Sequence, residues 1–508
     1  KILILTQGRL RMGQVSTPKM PLSALGLTVL AGPDTAVTGL SVDSRKVKPG
    51  HLFAALPGSL AHGAEFIGYA VRMGAAAILT DRRGADIAAD ALANPGLSLV
   101  IVDDPRLALA QACALWFGAQ PATMIAVTGT NGKTSVATFC RQIWEALGFS
   151  AVNFGTTGVE GAVTAPLNHT TPEPIMLHRL LRDLAGQGIT HAAMEASSHG
   201  LAQRRLDGVT LTAAGFTNFT QDHLDYHQGF EDYFNAKAGL FTRVLPPDGI
   251  AVVNVDDPRA ADICAIVQRR GQTLLTVGAS DTAKLRILGQ RFDATGQDVR
   301  FSFRGETYLS RLALIGGFQA ANVLMAAGLG IACGADPDAV FKTFAQLVTV
   351  RGRMELAATR KNGATVFVDF AHTPDALKTA LRALRPHVMG RLVVVFGAGG
   401  DRDQGKRPLM GAAAAAEADL VFVTDDNPRS ETPAAIRQAI LAACPEANEV
   451  DDRATAILMG VDALGPGDTL LIAGKGHETG QIIGNDVLDF NDVEQASIAV
   501  AALDGIAP

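Results

Sequence analysis

The 508-residue chain has few aromatic side chains, 6% of the total, and only five cysteines. Cys113, Cys140, Cys264, Cys333 and Cys444 lie far apart and form no C-x-x-C pair, so reduced thiols are expected rather than a disulfide framework. Long apolar runs are missing as well. None reaches the roughly 20 residues that a membrane helix needs, so no membrane span is expected. A dense block of lysine or arginine is also absent, and 44 basic against 50 acidic residues leave a formal net charge of −6. No nucleic-acid footprint follows from that balance. What is abundant is alanine and glycine, whose small side chains allow close helix-on-sheet packing, and a cytoplasmic α/β enzyme of about three domains is expected at this length. The opening Lys1-Ile-Leu-Ile-Leu5 is too short for a signal-peptide core, and residues 1–20 are expected to be a ragged start.

The most informative stretch is Thr128-Gly129-Thr130-Asn131-Gly132-Lys133-Thr134-Ser135. It follows the apolar run Met124 to Val127 and precedes an amphipathic pattern at Val136, Phe139, Cys140, Ile143 and Leu147, which predicts strand, glycine loop, helix. Glycines let backbone N–H groups approach phosphate oxygens, the helix N-terminus adds positive dipole, Lys133 supplies charge and the Thr134 hydroxyl is suited to Mg²⁺. Val127 stands where the common phosphate-loop motif has its first glycine, leaving the narrower T-G-T-N-G-K-T form.

Three blocks follow from the strand and turn rhythm: 1–120, 121–349 and 350–508. In the first, Leu52 to Leu56, Ala76 to Thr80 and Leu97 to Val102 are strand candidates. In the second, Thr190 to Met194, Ala213 to Phe216 and Ile250 to Val255 are buried-strand candidates, and Arg300 to Leu309 predicts a hairpin around Arg304-Gly305-Glu306. In the third, Thr365 to Val368, Leu392 to Phe396, Leu420 to Val423 and Thr469 to Ala473 each run into a polar loop. The expected class is α/β, with a central parallel sheet flanked by helices on both faces and a Rossmann-like C-terminal domain.

Two clusters join the phosphate loop. In Met194-Glu195-Ala196-Ser197-Ser198-His199-Gly200, Glu195 ends a strand within reach of a metal held opposite Thr134. Asp222-His223-Leu224-Asp225-Tyr226-His227 adds imidazoles and carboxylates at another strand end. A serine hydrolase is disfavoured, because no Gly-x-Ser-x-Gly surrounds Ser197 or Ser198.

These motifs, with Val368-Asp369-Phe370-Ala371-His372-Thr373-Pro374-Asp375 and Gly474-Lys475-Gly476-His477-Glu478, resemble those of the Mur ligases in order and spacing from about Pro21 onward. That family forms amides at the expense of ATP in peptidoglycan precursor synthesis. The resemblance implies that Gly129 to Ser135, Asn322, Arg353 and Asp369 bind ATP, and that Lys133, Glu195, His199, His223 and Lys237 are catalytic. It further implies that Lys237 is carbamylated and, with Thr134, Glu195 and His223, holds Mg²⁺. Read by itself, Lys237 is a snorkelling helix lysine.

By the same resemblance, Val42, Ser44, Ser59, Leu60, Ala61, Thr170, Thr171, Ser197, Gln203 and Arg205 hold a UDP-N-acetylmuramoyl dipeptide. His62 stands where the family pattern has Asp, and His169 where some relatives have Asn. The sequence Asp426-Asn427-Pro428-Arg429 matches the signature of family members that add meso-diaminopimelate, with Arg402, Gly474 and Glu478 completing that subsite. A guanidinium at 429 suits a distal carboxylate that lysine lacks. The implied partners are these small molecules alone, and the chain is expected to be a monomer.

Overall fold

The computed structural model describes residues 19–58, 61–94, 96–220, 226–293 and 295–505. Three α/β domains each carry a largely parallel sheet. In the first, strands Gly39–Ser41, His51–Ala54, Ala77–Thr80 and Ser98–Ile101 lie side by side in that order, all parallel. Each expected strand is present, displaced by one or two residues at its ends. A short antiparallel pair, Met20–Pro21 with Ala36–Val37, is an addition that no periodicity announced.

Among the described residues the middle sheet has ten strands. Thr123–Thr128, which feeds the phosphate loop, lies between Ala213–Phe216 and His191–Glu195, with Phe216 beside Thr128 and Glu195 beside Val127. Three strand ends therefore converge at one carboxyl edge, where α/β sheets place their ligands. Alternate residues of Thr123–Thr128 enter opposite cores: Met124 and Ala126 join one cluster, Ile125 and Val127 the other. Burial on both faces explains why the strand reads as an unbroken apolar run rather than an alternation. The predicted hairpin is real but larger, because Gly296–Phe303 pairs with both Leu285–Asp293 and Glu306–Leu312. This antiparallel unit continues the parallel sheet at Leu285.

Helix Lys133–Ala146 buries Val136, Phe139, Cys140 and Ile143 and shares its core cluster with helix Phe318–Ala332. Small residues (Ala320, Ala326, Ala327, Gly328, Gly330) keep the second helix slim enough to be buried along most of its length. Helix Pro174–Gly186 carries His178, which is 3% exposed and whose Nε2 has no partner among the described residues. Burial pushes this imidazole down to about 4.

The C-terminal sheet runs Glu355–Thr359, Thr365–Asp369, Thr469–Ala473, Leu392–Phe396, Leu420–Val423, Asn448–Glu449, parallel except for the first strand. The four expected strands form its centre. Beneath its carboxyl edge, Arg453 and Asp492 are both fully buried and joined by two bonds, Nε to Oδ1 at 2.8 Å and Nη2 to Oδ2 at 2.7 Å. Arg453 also donates to the carbonyls of Asp425 (3.3 Å) and Ala473 (3.1 Å), and Asp492 opens the last helix, Asp492–Asp504.

Candidate active site

The phosphate loop leaves strand Thr123–Thr128 at Gly129, whose φ is +144°. A Cβ there would lie 1.9 Å from Thr217 Oγ1, so only glycine fits. Helix Lys133–Ala146 starts with no side-chain cap, which leaves its first N–H groups for an anion. Lys133 Nζ donates to the carbonyls of Gly129 (3.0 Å) and Thr130 (2.8 Å). A second layer supports the loop: Asn131 N–H donates to Asn218 Oδ1 (2.9 Å), and Thr217 Oγ1 donates to the Asn131 carbonyl (2.6 Å). Sequence reading did not single out Thr217 or Asn218. Their place just after the buried strand Ala213–Phe216 was the available signal.

Glu195 is buried and accepts from the Thr134 hydroxyl (3.0 Å), the Thr156 N–H (2.8 Å) and the Thr156 hydroxyl (3.1 Å). Thr156 in turn touches Thr170, and Thr171 donates to the Glu195 carbonyl while meeting Ser197 at 3.1 Å. Lys237 is not a snorkelling lysine: it is 1% exposed, with Nζ 2.8 Å from the Gly129 carbonyl and 4.5 Å from the centre of the Tyr233 ring. His223, with Asp222 and Asp225, lies outside the described residues. Among the described residues, no three His, Cys, Asp or Glu side chains form a metal cluster.

From the C-terminal domain, Arg353 reaches Thr134 Oγ1 at 3.4 Å and covers the Phe370 ring at 4.5 Å. Asp369 accepts the Met354 N–H at 2.7 Å. Burial raises the Asp369 carboxyl and lowers Arg353, and each opposes the other's shift. Asn322 donates to Gln319 Oε1 at 3.0 Å and flanks Gly132. Asn322, Arg353, Asp369 and Phe370 line a cavity of about 580 Å³ that is also lined by the phosphate loop, Glu195 and Lys237.

A second cavity of about 820 Å³ is lined by Arg402, Asp426, Asn427, Arg429 and Glu478, and by His199. Phe370, His372, Thr373 and Asp375 line both cavities, so the two share a wall. Gly474 adopts φ +118°, and a Cβ there would lie 2.6 Å from Asp426 Oδ2. Arg429 has a left-handed backbone, φ +51°, and donates from Nη1 to the Gly400 carbonyl at 2.8 Å. Burial and the nearby Arg402 guanidinium lower Arg429's hold on its proton. Two like charges here favour an anion between them. His477 spans toward the middle domain at Thr156; burial, then Arg353 and Arg351, push it down to about 4.

None of the described first-domain residues lines either cavity. Val42 packs against the first-domain core, Ser44 is buried in a short turn capped by Asp43, and Ala61 is exposed. Ser59 and Leu60 lie outside the described residues. His62 Nδ1 accepts the Ala64 N–H at 3.0 Å, and Glu65 accepts the His62 N–H at 3.2 Å, so this imidazole caps the following turn as an Asp would. His169 is exposed. Gln203 Oε1 accepts from Arg205 at 2.8 Å while its Nε2 donates to Tyr226, and Tyr226 lies 3.9 Å from the His199 ring.

Comparison with known proteins assigns the lineage. Residues 127–330 match the Mur ligase middle domain, 352–476 the Mur ligase glutamate ligase domain, and 36–116 the Mur ligase family catalytic domain. The UDP-N-acetylmuramoyl-L-alanyl-D-glutamate 2,6-diaminopimelate ligase of Bradyrhizobium diazoefficiens is 50% identical over 470 residues, covering 92% of this chain and 95% of that one. This chain belongs to the Mur ligase family. The corresponding ligase of Caulobacter vibrioides is 48% identical over 479 residues, 93% of this chain and 97% of that one. A solved structure of a ligase of the same name has 32% identity and a TM-score of 0.69, covering 96% and 99% of the two chains. The MurF ligase of Thermotoga maritima, solved with ADP, shares the fold at 18% identity and a TM-score of 0.60, over 91% and 97%. The middle-domain match contains the phosphate loop, Glu195, Lys237 and Asn322. The glutamate-ligase match ends at residue 476, short of Glu478 and of the hairpin that follows.

Proposed function

We infer that this Mur ligase joins meso-2,6-diaminopimelate to the D-glutamyl γ-carboxylate of UDP-N-acetylmuramoyl-L-alanyl-D-glutamate at the expense of ATP, in the cytoplasm. The observation that carries this reading is the wall shared by two unlike cavities, one a phosphate cradle and the other lined by Arg402 and Arg429 together with Asp426 and Glu478, a set suited to a substrate bearing both carboxylate and ammonium. An acyl phosphate formed on one side meets an amine held on the other. The γ-phosphoryl group passes from ATP to the γ-carboxylate, the amine attacks the acyl carbon, phosphate leaves and an amide remains. No side chain becomes covalently attached to substrate.

Catalysis of this kind is mostly positioning and charge neutralisation. Gly129 to Ser135 cradle the phosphates, Lys133 offsets their charge, and Asn322, Arg353 and Asp369 hold the nucleoside side. Mg²⁺ fits the donor set, since the Thr134 hydroxyl and Glu195 carboxylate supply hard oxygens 3.0 Å apart. Bound there, it would neutralise phosphate charge. A carbamylated Lys237 and His223 complete the proposed shell. Val42, Ser44, Ser59, Leu60, Ala61, Thr170, Thr171, Ser197, Gln203 and Arg205 hold the UDP-dipeptide. Arg402, Asp426, Asn427, Pro428, Arg429, Gly474 and Glu478 hold diaminopimelate, and His199 orients the reacting groups between them. We take the domains as 1–120, 121–349 and 350–508, acting as a monomer.

A dependence assay tests the reading. ADP release should require the UDP-dipeptide and meso-diaminopimelate together, with the UDP-tripeptide as product. ATP turnover indifferent to either substrate would instead point to a switch or transport ATPase.

A further inference from the structure

The Gly474 to Glu478 motif contains a fully buried ammonium, Lys475, to which the reading above gives no work. Its Nζ donates to Asn427 Oδ1 (3.0 Å), Glu478 Oε2 (3.1 Å) and the Gly480 carbonyl (2.6 Å), which uses all three of its protons. Asn427 Oδ1 also accepts the Ile482 N–H at 2.9 Å. Two donors on one oxygen fix the orientation of the amide, and its Nδ2 is thereby turned to Glu478 Oε2 at 2.8 Å. Glu478 Oε2 thus accepts two hydrogen bonds, and Glu478 itself lines the second cavity. The hairpin Gly480–Ile483/Asp486–Asp489 tightens the same loop from outside: Gln481 Nε2 donates to the Asp426 carbonyl (2.7 Å), Arg429 N–H to the Ile482 carbonyl (3.1 Å) and Gly484 N–H to the Arg429 carbonyl (2.8 Å). The left-handed Arg429 is thus held on both sides of its peptide.

We propose that Lys475 is a positioning residue for the amino-acid substrate, acting through Asn427 and Glu478, with the hairpin as its outer brace. The proposal rests on the second cavity being the diaminopimelate site. Lys475 meets no substrate itself. Its charge balances Glu478, and its geometry holds one amide and one carboxylate in fixed directions.

Steady-state kinetics of Lys475→Gln and Lys475→Met, with all three substrates varied in turn, test it. Both variants should raise KM for meso-diaminopimelate at least about tenfold, the scale of a lost charged hydrogen bond. KM for ATP and for the UDP-dipeptide should stay within about twofold, and kcat within about threefold. In an Asn427→Ala background, Lys475→Gln should add less than about threefold, because coupled residues are non-additive. Equal losses for all three substrates, a fall in kcat alone, or fully multiplicative effects of the two substitutions would overturn the proposal. Should the Lys475 variants not fold, Asn427→Asp keeps Lys475 and turns a second oxygen toward Glu478. It should raise the diaminopimelate KM by a similar factor, and an unchanged KM there overturns the proposal too. Wild-type enzyme that ignores meso-diaminopimelate in the same assay would sink the functional reading instead, so the two failures are told apart.

Discussion

Arg353 Nη2 and Thr134 Oγ1 meet at 3.4 Å, although one belongs to the C-terminal domain and the other to the phosphate-loop helix of the middle domain. The smaller cavity is therefore lined by residues of both domains.

Arg353→Ala should lower kcat/KM for ATP by about 10- to 100-fold, since a charged contact and its desolvated setting are both lost. Arg353→Lys should recover only part, because an ammonium cannot stack on Phe370 and reach Thr134 in the same planar geometry. Steady-state kinetics with ATP varied decide it, and wild-type values for both variants would remove Arg353 from the nucleotide site.

Lys133→Ala should reduce kcat by about 100- to 1,000-fold, the scale of losing one transition-state charge contact. Its melting temperature should barely move, because a partly exposed lysine at the head of the helix contributes little packing. Unchanged turnover would take the phosphate loop out of the mechanism.

Lys237→Ala should abolish most turnover without unfolding the protein, and small carboxylates should restore part of it by standing in for the carbamate oxygens. Mass spectrometry of the native enzyme under CO₂ should show the added carboxyl group at Lys237. Full activity of the variant contradicts the proposed modification.

Arg429→Ala should cost about 2 to 5 kcal/mol of diaminopimelate binding, the range for truncating one partner of a buried charge pair, which corresponds to roughly 30- to 4,000-fold in KM. ATP kinetics should change far less, and the preference over L-lysine should narrow. Both amino acids must be measured with both proteins, because selectivity is a difference of affinities. A wild-type preference for lysine would reduce Asp426 to Arg429 to a turn.

His178 predicts a pH effect on stability. Its folded value, about 4, lies below the ordinary imidazole value, so the unfolded chain binds the proton more readily. Stability is thus full above about pH 6.5, falls as pH drops, and stops falling from this group near its folded value. At pH 5 the loss should be about 2 kcal/mol relative to pH 7. Urea melts of wild type and His178→Leu at both pH values isolate it: the variant should lose less on acidification, and equal losses would show that His178 does not titrate this way.

Much of this was legible from the residues. Buried parallel strands such as Leu392–Phe396 announce themselves as apolar runs bounded by turns, and the phosphate loop fixes its own strand and helix. Edge elements were not legible: Met20–Pro21 and Asn448–Glu449 are two-residue strands whose pairing is decided by neighbours rather than by pattern. Lys237 shows the harder limit. A helix lysine looks the same in sequence whether it reaches solvent or, as here, the carbonyl of a loop 108 residues away. Thr156 escaped for the same reason, since what sets it apart is which oxygen it touches, the carboxylate of Glu195.

The buried Arg453–Asp492 pair ties the last helix to the carbonyls of Asp425 and Ala473, next to the loop that lines the second cavity. During synthesis the ribosome therefore emits the partner of Arg453 some forty residues after Arg453 itself, and well over three hundred after the phosphate loop. The nascent polypeptide can shape its nucleotide cradle early, but a guanidinium lodged next to that loop lacks its counter-ion until the tail arrives. A premature stop before Asp492 would yield a protein that keeps the cradle and loses a support of its second cavity.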